Sequence, residues 1–255
     1  MNFSYSPNDH TKLLSLFAKA IDKGIGRDIK DTLADNNKET NNAIKFMPGD
    51  NINTNLKIAL TASTTSVSLH PFRRCSWDGR IIVDYNNQLT YSIHSKKSFN
   101  TIRHKFHNSK KDTQPHYLPT IIAIENKDIK PLNEQLLLIN FDLDIPFSKE
   151  DFIKDYIDIL GKNDKISPEF HHLVITYSNN KGKLESLDLL ILAYDMSIVE
   201  EFSLMNLVQP DFMELTEDTN PDSVTSNNNN ENTQTQPDEE TSTALVKLKV
   251  ASVAK

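Results

Sequence analysis

Residues 77–95 constrain the fold of this chain most strongly, because two strand-like runs flank one short polar turn. The runs "RIIVDY" and "LTYSIHS" are rich in β-branched and aromatic residues, which favour strands. Asn86-Asn87 lie between them, and asparagine tolerates the positive φ angles of a tight hairpin turn. The second run alternates between an apolar and a polar set: Leu89, Tyr91 and Ile93 against Thr90, Ser92 and His94. This alternation predicts an antiparallel hairpin that is buried on one face only.

Helical patterns lie before and after this hairpin. "SPND" at residues 6–9 has the composition of a helix start. Apolar residues then recur every four positions over residues 13–33, which predicts a helix that Gly24 and Gly26 break or bend. Three further helices are predicted over residues 98–108 with Ser98 as the cap, over residues 116–126, and over residues 148–160 after the capping sequence "SKED".

Strand and loop patterns occupy most of the remaining chain. Residues 36–55 are polar and predict a long surface loop, whereas residues 56–69 are small or β-branched and predict a strand. Residues 136–141 predict a strand or an extended arm. Residues 172–194 predict a hairpin around "NNKGK", and residues 198–208 predict a third strand or a strand leading into a helix. Together these elements predict an α+β fold, with N-terminal helices packed on a largely antiparallel sheet built from hairpins.

The composition of the chain changes at about Thr216. We expect residues 1–215 to form a single α+β domain, which is large enough to form a core without disulfides. Residues 216–243 have almost no apolar side chains and predict a disordered polar linker. Residues 244–255 alternate again, and predict a short strand-like segment that can pair with a sheet edge of this or another chain.

The cysteine content and the apolar content of the chain indicate its cellular location. The single cysteine, Cys75, excludes an intramolecular disulfide and fits a reducing compartment. No apolar run reaches the length of a membrane span, and Lys19 interrupts the apolar stretch near the start. We therefore expect a cytoplasmic location without a membrane partner. Only six glycines occur, so the common glycine-rich phosphate loops are absent and no cofactor is predicted.

The charge of the chain is distributed unevenly. The formal net charge of −7 argues against a general nucleic-acid binder. Residues 70–117, which we call the basic segment, contain nine Lys and Arg against three Asp. The basic segment therefore carries +6, the remainder carries −13, and five of the eight histidines lie in this segment. This asymmetry indicates either an anionic partner for one face or a basic face that the chain's own acidic parts neutralise.

Cations and aromatic side chains are interspersed in the basic segment. Such a combination suits single-stranded nucleic acid, because cations follow the phosphates and aromatic rings stack on the bases. Periodicity turns Tyr91 and Phe99 inward, which leaves Trp77 and Tyr117 as the candidate platforms. The predicted nucleic-acid-binding residues are Arg73, Arg74, Trp77, Arg80, Lys96, Lys97, Arg103, His104, His107, Lys110, Lys111 and Tyr117. Contacts of about six of these cations with phosphates predict a log–log salt dependence of roughly −5.

Three stretches of the chain together resemble an uncharacterised bacterial family, a domain of unknown function. They begin with "RRCSWDGRIIVDYNNQLTYSIHSKKSFNTIRHK" at residues 73–105, and continue with "PHYLPTIIAIENKDI" and "HHLVITYSNNKGKLESLDLLILAYDMSIVEEFSL". The resemblance implies an origin in low-GC Gram-positive bacteria, often near mobile elements. It implies no activity, substrate or site residue.

Catalytic and metal-binding patterns are incomplete. Asp84 ends a strand as in nucleases of the restriction-endonuclease type, but "HSK" on the next strand supplies no second carboxylate. A turn residue that accepts bonds from its own hairpin backbone is the alternative role for Asp84. His104 and His107 lie one helical turn apart without an acidic or cysteine partner at metal-binding spacing. Cys75 follows two arginines, which lower a thiol pKa, but no local signature supplies the base that catalysis requires.

The sequence thus favours a non-catalytic cytoplasmic binding or regulatory protein that contacts nucleic acid through a basic hairpin and helix. One alternative is a protein–protein interaction module that docks through the C-terminal tail, whose acidic middle could also cover the basic surface. Another is a metal-dependent, nuclease-like enzyme. No catalytic or metal-binding residue is predicted, and the oligomeric state is left open.

Overall fold

A six-stranded sheet forms the centre of the computed structural model and carries helices on both of its faces. The structure describes residues 3–35, 46–63, 66–74, 77–108, 116–132, 149–161 and 169–208, which belong to one compact unit, Met1–Pro210. The strands are β1 (Val67–Arg74), β2 (Trp77–Asp84), β3 (Leu89–Ser95), β4 (His171–Asn180), β5 (Lys183–Leu192) and β6 (Ile198–Ser203). They lie in the sheet in chain order, and all neighbouring pairs are antiparallel except β3 and β4.

The helices fall into two groups along the chain. Helices α1 (Thr11–Ile25), α2 (Arg27–Asp35) and α3 (Met47–Ala62) precede the sheet. Helices α4 (Lys96–Asn108), α5 (Tyr117–Glu125) and α6 (Lys149–Leu160) lie in the connection from β3 to β4. Parallel strands require such a crossover connection, because a tight turn cannot join them. The predicted α+β class with a largely antiparallel sheet is confirmed.

Two hydrophobic cores lie on opposite faces of the sheet. On the first face, α1 and α3 pack against strand residues such as Ile82, Tyr91 and Leu189. On the second face, α4, α5 and α6 pack against the alternate residues, such as Val83 and Leu190. Successive side chains of a strand point to opposite faces, so each central strand contributes to both cores.

Helix α3 contradicts the sequence interpretation. The loop predicted up to residue 55 and the strand predicted from residue 56 are wrong between Met47 and Ala62, where the chain is helical. Pro48 suits the first helical turn, and the buried residues Ile52, Leu56 and Leu60 recur every four positions on one face. Residues 36–45 lie outside the described residues, and the strand begins at residue 67.

The β2–β3 hairpin differs from prediction in its turn and in its burial. The positive φ angle belongs to Gln88 and not to the two asparagines. The Asp84 carboxylate accepts hydrogen bonds from the backbone N–H groups of Asn86 at 3.2 Å and Asn87 at 3.3 Å, which confirms its role as a turn residue. The polar set of β3 is buried because α4 to α6 cover that face, so the predicted exposed face is wrong.

Other local predictions are confirmed with shifted boundaries. The first helical region divides into α1 and α2 as predicted from its glycines, and Gly24 packs closely on α3, since a Cβ atom there would lie 2.9 Å from Ile52. Helix α4 begins before the predicted cap, and the Ser95 hydroxyl accepts the bond from the Ser98 N–H. Within the described part of the chain, no helix is long and apolar enough to cross a membrane. The predictions for residues 136–141 and for residues 216–255 lie outside the described residues.

Candidate functional site

The ends of three strands bring much of the predicted binding set to one edge of the sheet. Strand β1 ends at Arg74, which pairs with Trp77 at the start of β2. Because β2 and β3 are antiparallel, the end of β3 and the start of α4 lie at the same edge. We call this the basic edge, and define it by Arg73, Arg74, Trp77, Arg80, Lys96 and Lys97.

Helix α4 presents a polar surface without carboxylates. Lys97, Thr101, His104 and Asn108 follow one another at helical spacing and are all exposed. Lys105 and other exposed polar side chains flank them. No Asp or Glu occurs between Asp84 and Asp112 in the sequence, so α4 itself supplies no negative charge to its exposed side.

Carboxylates of the same chain neutralise part of the basic edge. Arg74 Nη2 lies 2.9 Å from Asp155 Oδ1 of α6, and both side chains are largely buried. Lys96 Nζ lies 2.8 Å from Asp188 Oδ2. Arg73 Nε lies 3.9 Å from Asp78 Oδ1 in an exposed pair, which stabilises little. Arg74 and Lys96 therefore have structural roles in addition to their predicted role in nucleic-acid binding.

The remaining predicted residues differ in accessibility. Arg80 and Lys97 form no ion pair with any carboxylate that the structure describes. Arg103 is half-buried, and its Nε donates to the Met196 carbonyl at 2.9 Å. His104 and His107 are exposed on α4. Cys75, Lys110, Lys111 and the side chain of Trp77 lie outside the described residues.

Tyr117 is an internal residue, although the sequence suggested a stacking platform. Its side chain is 3% exposed, and its hydroxyl lies 3.1 Å from His94 Nε2. Burial lowers the pKa of His94 to about 3, with a further contribution from His116. His94 is therefore neutral at physiological pH and can accept a bond from the Tyr117 hydroxyl.

A small cleft opens where β2 and β3 separate. These strands pair at three positions, from Ile82–Tyr91 to Asp84–Leu89, whereas β1 and β2 pair along eight. Toward the basic edge, β2 and β3 border a cavity of about 160 Å³. Its lining includes Phe46, Asp50 and Asn53 of the α3 region, Arg80 of β2, Ile93 of β3 and Tyr117 of α5.

Sequence reasoning missed a chain of buried polar groups on the second face, which we call the buried network. Thr90 Oγ1 contacts Glu125 Oε2 and lies 2.7 Å from His172 Nδ1. Ser92 Oγ lies 2.8 Å from His172 Nε2, and the Tyr156 hydroxyl donates to Glu125 Oε1 at 2.8 Å. Two sequence features indicated buried polar groups: Glu125 at the end of an apolar helix, and three polar residues that alternate along β3.

Burial sets the protonation of the buried network. It raises the pKa of Glu125 to about 7, although the bonds from Thr90 and Tyr156 act in the opposite direction. It lowers the pKa of His172 to about 3. Along these contacts the order Ser92, His172 and Glu125, with Thr90 between the last two, resembles a nucleophile, a base and an orienting acid. Because Ser92, His172 and Glu125 are at most 1% exposed, solvent and substrate cannot reach them in this conformation.

The described residues contain no group of three or more His, Cys, Asp or Glu side chains that could hold a metal ion. His94 and His116 lie near each other, with ring centroids 5.9 Å apart, but they do not form such a group. Asp84, the first carboxylate of the nuclease alternative, is engaged by its own turn. The geometry thus adds nothing to the nuclease alternative.

Comparison with known proteins places the chain in a family. A family model, described as a family of unknown function (DUF5986), matches residues 6–250. The chain belongs to DUF5986. The DUF5986 match spans the basic edge, the cleft and the buried network, and membership in a family of unknown function confirms that part of the resemblance. No match to the chain was found among curated proteins or among solved structures.

Proposed function

We propose that this DUF5986 protein is a non-catalytic binding or regulatory protein that contacts nucleic acid through the basic edge and α4. The proposal includes a cytoplasmic location, supported by the single cysteine. It also includes a bacterial origin near mobile elements, which rests on the sequence resemblance alone. The observation that carries the proposal is the exposed, carboxylate-free surface of α4, which continues from the basic edge.

The start of α4 supports an anionic partner. The N-terminus of a helix favours negative charge, because unpaired N–H groups and the helix dipole give it a partial positive charge. Lys96 and Lys97 occupy the first turn, where no acidic residue lies. A cation in the first turn lowers the stability of a helix by up to about 1 kcal/mol. A phosphate bound beside Lys97 would offset that cost.

The ion pairs reduce the number of cations available to phosphates. Arg74 and Lys96 already contact carboxylates, so fewer cations are available than the roughly six assumed from the sequence. About four phosphate contacts predict a log–log salt slope of roughly −3 on a single strand. The slope is thus expected to be shallower than the sequence alone suggested.

The test is fluorescence anisotropy of labelled single-stranded and duplex probes with the full chain at several salt concentrations. The double variant Lys97→Glu, Lys105→Glu should weaken binding roughly tenfold or more at low salt, because it reverses two charges on one face. The matched control Lys12→Glu, Lys19→Glu makes the same charge change at exposed positions of α1, on the other face of the sheet. Equal effects of the two double variants, or no binding by the wild type at low salt, would contradict the proposal.

A further inference from the structure

We infer that the cleft between β2 and β3 receives one unpaired nucleobase of the nucleic acid held at the basic edge. This inference rests on the proposed function, because the strand at the edge delivers the base. It adds a recognition element that neither the basic edge nor α4 supplies, since phosphate contacts are independent of whether a base is present.

The size of the cleft suits a single ring system. Its volume of about 160 Å³ lies below the roughly 300 Å³ at which pockets for drug-sized ligands begin. Ile52, Leu56 and Ile82 contribute apolar lining, which suits the flat faces of a base. Asp50 and Asn53 contribute acceptors and a donor that suit the hydrogen-bonding edge of a base.

Phe46 supplies an aromatic surface at this cleft. It lines the cavity, yet the residue is 70% exposed. A large aromatic side chain that is exposed beside a cavity can stack on a base, and every base offers a π-face for such stacking. Phe46 directly precedes α3, so a rigid helix fixes its position relative to the cavity.

Arg80 connects the cleft with the basic edge. Its side chain lines the cavity, and Arg80 lies three residues after Trp77, where β2 begins. Arg80 Nη1 donates to the Gly79 carbonyl at 2.8 Å, which leaves further N–H groups of the guanidinium for a phosphate. A strand whose phosphate contacts Arg80 thus has the attached base within reach of the cavity.

The test compares a short oligodeoxycytidylate with an abasic strand of the same length, using the full chain and anisotropy. Phe46→Ala should lower the affinity for the oligodeoxycytidylate between about fivefold and a hundredfold, the range of one base–aromatic stack. It should leave the affinity for the abasic strand unchanged. Ile58→Ala is the matched control, because Ile58 is exposed on the same helix and outside the cavity lining. Asn53→Ala should reproduce the selective loss without removing the aromatic ring.

The outcomes separate this inference from the proposed function. Salt-dependent binding that Lys97→Glu weakens, but that is equal for both strands and insensitive to Phe46→Ala and Asn53→Ala, would overturn the cleft alone. Absence of binding to either strand would overturn both. Thermal unfolding of each variant, followed by circular dichroism, shows whether a loss of affinity arises from a loss of fold.

Discussion

Replacing Glu125 with glutamine should remove a pH-dependent contribution to stability. In the unfolded chain this carboxyl group has its ordinary pKa, and burial raises the pKa from 4.5 to about 7 in the folded protein. Between these values, the folded state holds a proton that the unfolded state has lost. The free energy of unfolding therefore falls as pH rises through this range, and the contribution is fully present only below about pH 4.5. The raised pKa corresponds to about 3 kcal/mol.

Buried histidines make the opposite contribution, so the comparison must be between two proteins. Burial lowers the pKa values of His94 and His172 to about 3, and their contribution to stability is lost as pH falls below about 6.5. This contribution is common to the wild type and Glu125→Gln. It cancels when the free energies of unfolding of the two proteins are subtracted at each pH.

Glutamine fits the neutral form of the buried network. The side-chain amide of the glutamine can donate to Thr90 Oγ1, and the Thr90 hydroxyl then donates to His172 Nδ1. The Nε2–H group of His172 donates to Ser92. An ionised Glu125 instead accepts from Thr90, and Thr90 accepts from an Nδ1–H group of His172. Ionisation of Glu125 thus changes the tautomer of His172, which the ¹⁵N chemical shifts of its imidazole ring report.

The assay is urea unfolding of both proteins between about pH 5 and pH 8. Glu125→Gln should gain about 3 kcal/mol relative to the wild type over the titration of the buried carboxyl group. Glu185→Gln alters an exposed carboxylate on β5 and should show a much smaller change. Parallel stability curves for the wild type and Glu125→Gln, or a constant His172 tautomer, would refute the reasoning.

Two further predictions concern packing. Arg74→Met leaves a largely buried carboxylate without its ion-pair partner and should lower the free energy of unfolding by about 3 kcal/mol. Arg73→Met at the exposed pair should lower it by less than about 1 kcal/mol. Urea unfolding measures both changes. Gly24→Ala places a Cβ atom 2.9 Å from Ile52 and should destabilise by about 1–3 kcal/mol. In the same helical layer, a Cβ atom added at Gly49 would meet no atom within 4 Å. Gly49→Ala should therefore stabilise the protein by up to about 1 kcal/mol. Equal thermal shifts of the two glycine variants would contradict this assignment.

The sequence predicted elements wherever one local period dominated. The strand character of β3 and the helical spacing of Phe99 and Ile102 were predicted correctly, since both depend on neighbours in the chain. Helix α3 was missed, because small and β-branched residues obscured the stripe that begins with Ile52. The prediction that the cations near the hairpin bind nucleic acid is tested only by binding experiments.

The buried network and the cleft depend on contacts that no local pattern contains. Thr90 and Glu125 lie 35 residues apart, and Thr90 and His172 lie 82 apart. Polar residues on alternate strand positions ordinarily indicate a solvent-facing side, and only the covering helices reverse that interpretation. The separation of β2 from β3 is equally invisible, because a hairpin pattern predicts pairing along the whole strand.

The single parallel strand pair divides the sheet into two three-stranded meanders joined at a central seam. Each meander can assemble through short connections, but the seam forms only after the long segment between Ser95 and His171 has closed into a loop, which is slow. Ser92 and His172 lie on opposite sides of that seam. The proton of Glu125 is therefore bound tightly only once the two halves have joined, so its uptake accompanies formation of the seam.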